Sequence, residues 1–86
     1  MLRISIRKEQ NKTIIQIDGV LRSEGVAQLE KVVSKEKRPL VLDLSNVHHL
    51  DPSGAVAIVT LTKVGVELIG ASHYIELLLI EFGLTQ

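Results

Sequence analysis

Ser53 is the residue best placed by its neighbours to do chemistry. It stands in Asp51-Pro52-Ser53-Gly54, after the apolar run Leu40-Val41-Leu42-Asp43-Leu44 and the polar stretch Ser45 to Leu50. Asp is a good helix N-cap and Pro is tolerated at the first helical position, so the tetrapeptide opens a helix. A hydroxyl there is accessible, and a phosphate on it would face unpaired N–H groups of the first turn. The positive end of the helix dipole would partly offset its charge of about −1.5 to −2. Asp-Pro-Ser-Gly is equally a helix start with no further role. Residue types alone leave both readings open.

Other chemistry finds less support. His48 and His49 are sequence neighbours, not i and i+4 on a helix, and no third ligand is nearby, so they read as loop histidines and no metal is expected. Ser53 with a histidine and Asp51 lacks the G-x-S-x-G elbow of a hydrolase. Gly65 and Gly70 flank a strand without the G-x-G-x-x-G pattern, so no dinucleotide or other cofactor is expected. His73 reads as a first-turn helix residue. Lys35-Glu36-Lys37-Arg38 reads as a solvated loop, with a basic contact patch as the other possibility.

These residues need elements to hold them. Leu2, Ile4 and Ile6 alternate with Arg3, Ser5 and Arg7, the period of a half-buried strand. Lys8 to Lys12 reads as a hairpin turn, and Thr13 to Asp18 as a second, β-branched strand that Gly19 ends. Ser23 can cap a helix whose inner face carries Val26, Leu29 and Val33, stopped by Pro39. Leu40 to Leu44 has the pattern of a strand buried on both faces, and Ser45 to Leu50 reads as a loop. Ala55 to Val64 is β-branched enough for a strand, but the Asp-Pro opening favours a buried helix up to Gly65. Val66 to Ile69 reads as a strand. Ser72 can cap a last helix with Ile75, Leu78, Leu79 and Phe82 on one face and Gly83 at its end. The order β-β-α-β-α-β-α predicts an α/β fold: a mixed sheet of about four strands, its first hairpin antiparallel, with helices packed on it.

Composition bounds the partners. The chain has 86 residues, 10 Lys+Arg against 10 Asp+Glu, one Tyr and one Phe. A neutral chain with so few aromatics has neither the counterion release nor the stacking platforms of a nucleic-acid binder. Cysteine is absent, which excludes disulfides and thiolate sites and is compatible with a reducing, cytoplasmic setting. No signal-peptide pattern and no apolar run of about 18 residues occurs, so no membrane insertion is expected. One domain over residues 1–86 is expected, with a protein as its target. The apolar strand edge and the Leu77 to Ile80 segment are candidate dimer surfaces.

The ordered series of motifs resembles the STAS domains, in particular the anti-sigma factor antagonists (anti-anti-sigma factors). Their pattern is an apolar strand ending in Asp, a Ser/Gly turn, an apolar residue, then Asp-Ser-Ser/Thr-Gly opening a helix. Leu42-Asp43-Leu44-Ser45 and Asp51-Pro52-Ser53-Gly54 are similar to it. Gly19-Val20-Leu21 resembles the family's glycine turn, Gly65 to Gly70 its last strand, and Ile75 to Leu84 its terminal helix, closing in Gly83-Leu84. The chain departs from the pattern at Pro52, where a serine is usual, and at Arg22, where an acid is frequent. The helix from Ser53 to Gly65 is also about one turn shorter.

The resemblance implies a STAS-like fold and a non-enzymatic regulatory binding module in transcription signalling. Such domains bind an anti-sigma factor that is also a serine kinase. They are released when it phosphorylates a serine, here Ser53, and a phosphatase resets them. Asp51 would cap the helix and position the loop, with Pro52 beside it, and Gly54 would allow close approach. His48, His49 and Arg22 would line the contact surface. The alternative is a structural STAS subunit of a membrane transport assembly of ABC type, for lipid or anion, bound to a transporter ATPase with no phosphorylation cycle.

Overall fold

The structure is a computed structural model, and it describes residues 1–85. Its elements run β1 (Leu2–Glu9), β2 (Lys12–Leu21), α1 (Ser23–Lys35), β3 (Leu40–Leu50), α2 (Pro52–Lys63), β4 (Glu67–Ile69) and α3 (His73–Glu81). The four strands lie in sequence order, β1 antiparallel to β2 and the others parallel. Both crossovers step the same way along the sheet, and right-handed connections then put α1 and α2 on one face.

That face holds the core. Ile15 and Ile17 of β2 and Leu40, Leu42 and Leu44 of β3 meet Leu29, Ala55, Ile58, Val59, Ile75 and Leu79 from the three helices. Leu29 and Val33 of the expected α1 face and Ile75, Leu78, Leu79 and Phe82 of the expected α3 face pack there, whereas Val26 stays outside the core and Val32 joins it. Ala55 to Lys63 is helix. Alternation along the strands sends the other set of side chains to the opposite face. Arg3, Arg7, Gln16, Asp18, Asp43 and Ser45 lie on that face, around the buried pair Ile14 and Val41.

Four local expectations need correcting. The hairpin turn is tighter than Lys8 to Lys12. Glu9 pairs with Lys12, and only Gln10 and Asn11 connect them, Asn11 at φ 59°. Gly19 does not end β2. It takes φ 100° inside the strand, where a Cβ would collide with the Met1 carbonyl, and β2 continues to Leu21. Ser23 is the first residue of α1 and not its cap, which is Arg22.

The fourth is the Ser45 to Leu50 segment, which is strand and not loop, so His48 and His49 lie on β3. The register between β2 and β3 shifts twice, between Gln16 and Asp18 and between Gly19 and Val20. Such bulges add residues to β3 and break its period of two. Val47 and Leu50 therefore point inward three residues apart, with exposed His48 and His49 between them.

Candidate functional site

Each of α1, α2 and α3 starts just after the carboxyl end of a parallel strand, so their N-termini share one end of the sheet. In open α/β sheets that end is where sites form. Ser53 lies there, exposed, as the second residue of α2, and exposed Pro52 is the first.

Asp51 organises this end. Its Oδ1 accepts the Gly54 N–H at 2.7 Å, the N-cap bond the sequence predicts. Its Oδ2 accepts the Ser23 N–H at 3.1 Å, at the start of α1. Its own N–H donates to the Leu21 carbonyl at 3.1 Å, and its carbonyl accepts from Ala55 at 2.9 Å. Arg22, exposed at the α1 N-cap, makes no side-chain capping bond, so the carboxylate for that helix comes from Asp51. Gly54 is buried against the same strand end. A Cβ on it would stand 2.5 Å from the Leu21 carbonyl oxygen.

The first turn of α2 has few donors left. Pro52 has no N–H, and those of Gly54 and Ala55 are bonded to Asp51. Among the described residues, only the N–H of Ser53 itself lacks a bond within that turn. A phosphate on Ser53 would find little of the N-terminal hydrogen bonding that the sequence suggests, and a carboxylate beside it.

Beside Ser53 an open groove of about 450 Å³ runs between α1 and α2. Val26, Pro52, Val56, Ala57 and Leu61 make it apolar, and Glu30 and Thr60 add polar groups. Val56 is 49% exposed, although α2 is apolar nearly all round. Sequence reasoning did not single out this groove. Its signal was the apolar character of positions 56, 57 and 61 beyond what one buried face needs.

On the other side of α2, His49 Nδ1 lies 2.6 Å from the Tyr74 hydroxyl, their rings stacked with centroids 5.8 Å apart. Tyr74 is half exposed, and no local pattern in the sequence marks it as a partner of His49. The structure thus gathers Asp51, Pro52, Ser53, Gly54 and Arg22 at the starts of α1 and α2. It turns His49 toward α3 and leaves His48 exposed on β3. No cluster of three metal-ligating side chains occurs among the described residues.

The bulge in β3 has its own polar lock. Asp43 accepts from both the backbone N–H and the hydroxyl of Ser45, and Arg7 stands 3.9 Å away. The Ser45 hydroxyl bond, then its backbone bond, then Arg7 hold the Asp43 carboxyl below its ordinary value, against the opposing effect of burial. Asp18 is lowered too, first by Gln16, which donates to it at 2.9 Å, then by Asn46.

The strand order, the common side of the helices and the serine at the α2 start define a mixed α/β module of SpoIIAA-like fold. The chain belongs to the STAS domain family, whose model matches residues 3–71. Among solved structures it is similar to one described as Mglu, at 20% identity and TM-score 0.68. That match covers 80% of this chain and 20% of the other, so the chain spans only a fifth of that protein. It is similar to a protein of the DUF3478 family with a SpoIIAA-like fold from Shewanella loihica PV-4, at 19% identity and TM-score 0.53. Here 85% of this chain and 69% of the other are covered. It is also similar to an antisigma-factor antagonist STAS domain from Rhodobacter sphaeroides, at 20% identity and TM-score 0.54, over 85% of this chain and 91% of the other. No curated protein sequence matches it. At these identities the likeness is one of fold. No helix among the described residues is long and apolar enough to cross a membrane.

Proposed function

We propose that the chain is a non-enzymatic anti-sigma factor antagonist. It captures an anti-sigma factor that is also a serine kinase, and phosphorylation of Ser53 releases it. A phosphatase restores the binding form. The observation that carries this reading is the position of Ser53: exposed, at the mouth of the apolar α1–α2 groove, and beside the carboxylate that caps both helices. Unphosphorylated, the groove and the α2 start offer apolar surface to a protein partner. Phosphorylated, they carry a further charge of about −1.5 to −2 next to Asp51 and Glu30. Desolvating that charge in an interface, with carboxylates beside it, costs several kcal/mol. A loss of about 3 kcal/mol weakens binding by roughly a hundredfold. Pro52, Arg22, His48 and His49 belong to the proposed contact surface, in a cytoplasmic setting, while Gly54, buried against Leu21, lies beneath it and gives the close approach within the chain.

The test is incubation with a candidate anti-sigma kinase and ATP, with the phosphate located by mass spectrometry. The reading predicts one phosphate, on Ser53, none on Ser53→Ala, and loss of the complex on modification. No transfer, or transfer unchanged in Ser53→Ala, removes the assignment. Pro52 favours a second reading, because it leaves the first turn of α2 poor in donors for a phosphate. In that reading the chain is a STAS subunit of a transport assembly, and a pull-down from the native host would recover a transporter ATPase.

A further inference from the structure

The two edges of the sheet are treated differently. The β4 edge is short, Glu67–Ile69, and stands between Gly65 and Gly70, both at positive φ. The β1 edge is long and regular. Its register with β2 runs without a shift from Leu2 opposite Gly19 to Glu9 opposite Lys12, and β1 contains no Pro or Gly. Of the usual means of blunting an edge, β1 lacks bulges, Pro and short length and has only charge, at Arg3, Arg7, Lys8 and Glu9.

The helix layer also thins toward β1. Gly25 of α1 meets the Leu2 side chain, where even a Cβ would collide. Farther along, Ile4 is half-buried and Ile6 is 42% exposed. Unpaired backbone groups and uncovered apolar side chains thus lie along the same strand.

The geometry points to self-association: two copies join β1 to β1, antiparallel and centred on Ile6, into one continuous sheet with all helices on the same side. Charge selects that centre. Directly opposed residues must share a face, so the symmetric registers centre on a residue. Centring on Ser5 sets Arg3 opposite Arg7, twice by symmetry, and centring on Arg7 opposes that residue to its own copy. Like charges directly opposed are destabilising. Centring on Ile4 avoids this but pairs only Leu2 to Ile6. Centring on Ile6 pairs Arg3 through Glu9. It puts Ile6 against its copy, Ser5 opposite Arg7, and Arg3 opposite Glu9 at both ends. Lys8 then falls opposite Ile4, where its aliphatic stem can cover the isoleucine. Glu9 already bonds Arg7 at 2.9 Å across an exposed surface and has a second oxygen for the new partner.

Sedimentation equilibrium of the purified chain tests this from micromolar to millimolar concentration. The expected mass rises with concentration from 9.5 kDa toward twice that value. Arg3→Glu and Glu9→Arg each weaken association roughly tenfold, and the double swap restores it. The chain has no cysteine, so Ile6→Cys gives a direct readout of register. Mild oxidation links it into a covalent dimer far more completely than it links the exposed control Glu24→Cys. A chain that stays monomeric at millimolar concentration overturns the proposal. So does a dimer that ignores both charge reversals, or equal cross-linking of Ile6→Cys and the control.

Discussion

The Asp51 carboxylate bonds the Ser23 N–H at 3.1 Å across 28 residues of sequence while its other oxygen holds Gly54 at 2.7 Å. One side chain therefore caps two helices. It fixes the start of α1 relative to the start of α2, and with it the mouth of the groove beside Ser53.

Replacing Asp51 should cost more than an ordinary cap. Asp51→Ala is expected to lose about 2 kcal/mol, one cap at each helix. Asp51→Asn keeps one acceptor oxygen and should lose about 1 kcal/mol. Urea unfolding measures both. Amide exchange should quicken at Ser23 and Gly54 together in the alanine variant, and at one of them in the asparagine variant.

Gly54→Ala sets local preference against tertiary contact. Alanine favours a helix over glycine by up to about 1 kcal/mol, so α2 alone would gain. The new Cβ, however, would lie 2.5 Å from the Leu21 carbonyl oxygen, a backbone atom. Overpacking of this kind costs about 1–3 kcal/mol. The melting temperature should fall by about 5 °C or more, and a rise would show that the β2 end gives way.

Asp43 should make stability acid-sensitive. Its carboxyl is held below the ordinary 3.8, chiefly by Ser45, so the folded state favours the charged form. That contribution is fully present above pH 3.8 and is lost as pH falls through the lower folded value. Asp43→Asn should lose about 1–2 kcal/mol near neutral pH. In strong acid the gap between variant and parent should close. Urea midpoints across that range measure it.

The His49–Tyr74 bond is exposed at both ends. Tyr74→Phe removes the 2.6 Å bond and keeps the stacked ring. The expected change in unfolding free energy is below about 0.5 kcal/mol, with a shift in the His49 ring resonances. A larger loss would show that this pair anchors α3 to β3.

Much of the fold was legible because its signals are local. The i, i+3, i+4 spacing of Ile75, Leu78 and Leu79 needs only helix geometry to be read, as does the Ser72 cap, which accepts from Ile75 at 3.2 Å. The sequence reads His48 and His49 as loop residues because two bulges hide the strand alternation. A bulge is defined by what the partner strand does, and one strand's sequence does not contain that. Ser23 reads as a cap because Ser favours caps, but the acceptor that serves α1 arrives from Asp51, at the end of another strand.

The sequence by itself determined the element order, the apolar faces and the Asp-Pro-Ser-Gly helix start. Periodicity, capping chemistry and the fixed φ of proline act within a few residues. Only the tertiary structure decided that Asp51 serves two helices, that Val56 and Leu61 line an open groove, and that β1 is left as an uncovered edge. Those are relations between segments far apart in the chain. They exist only once burial of one shared core has set the distances between them.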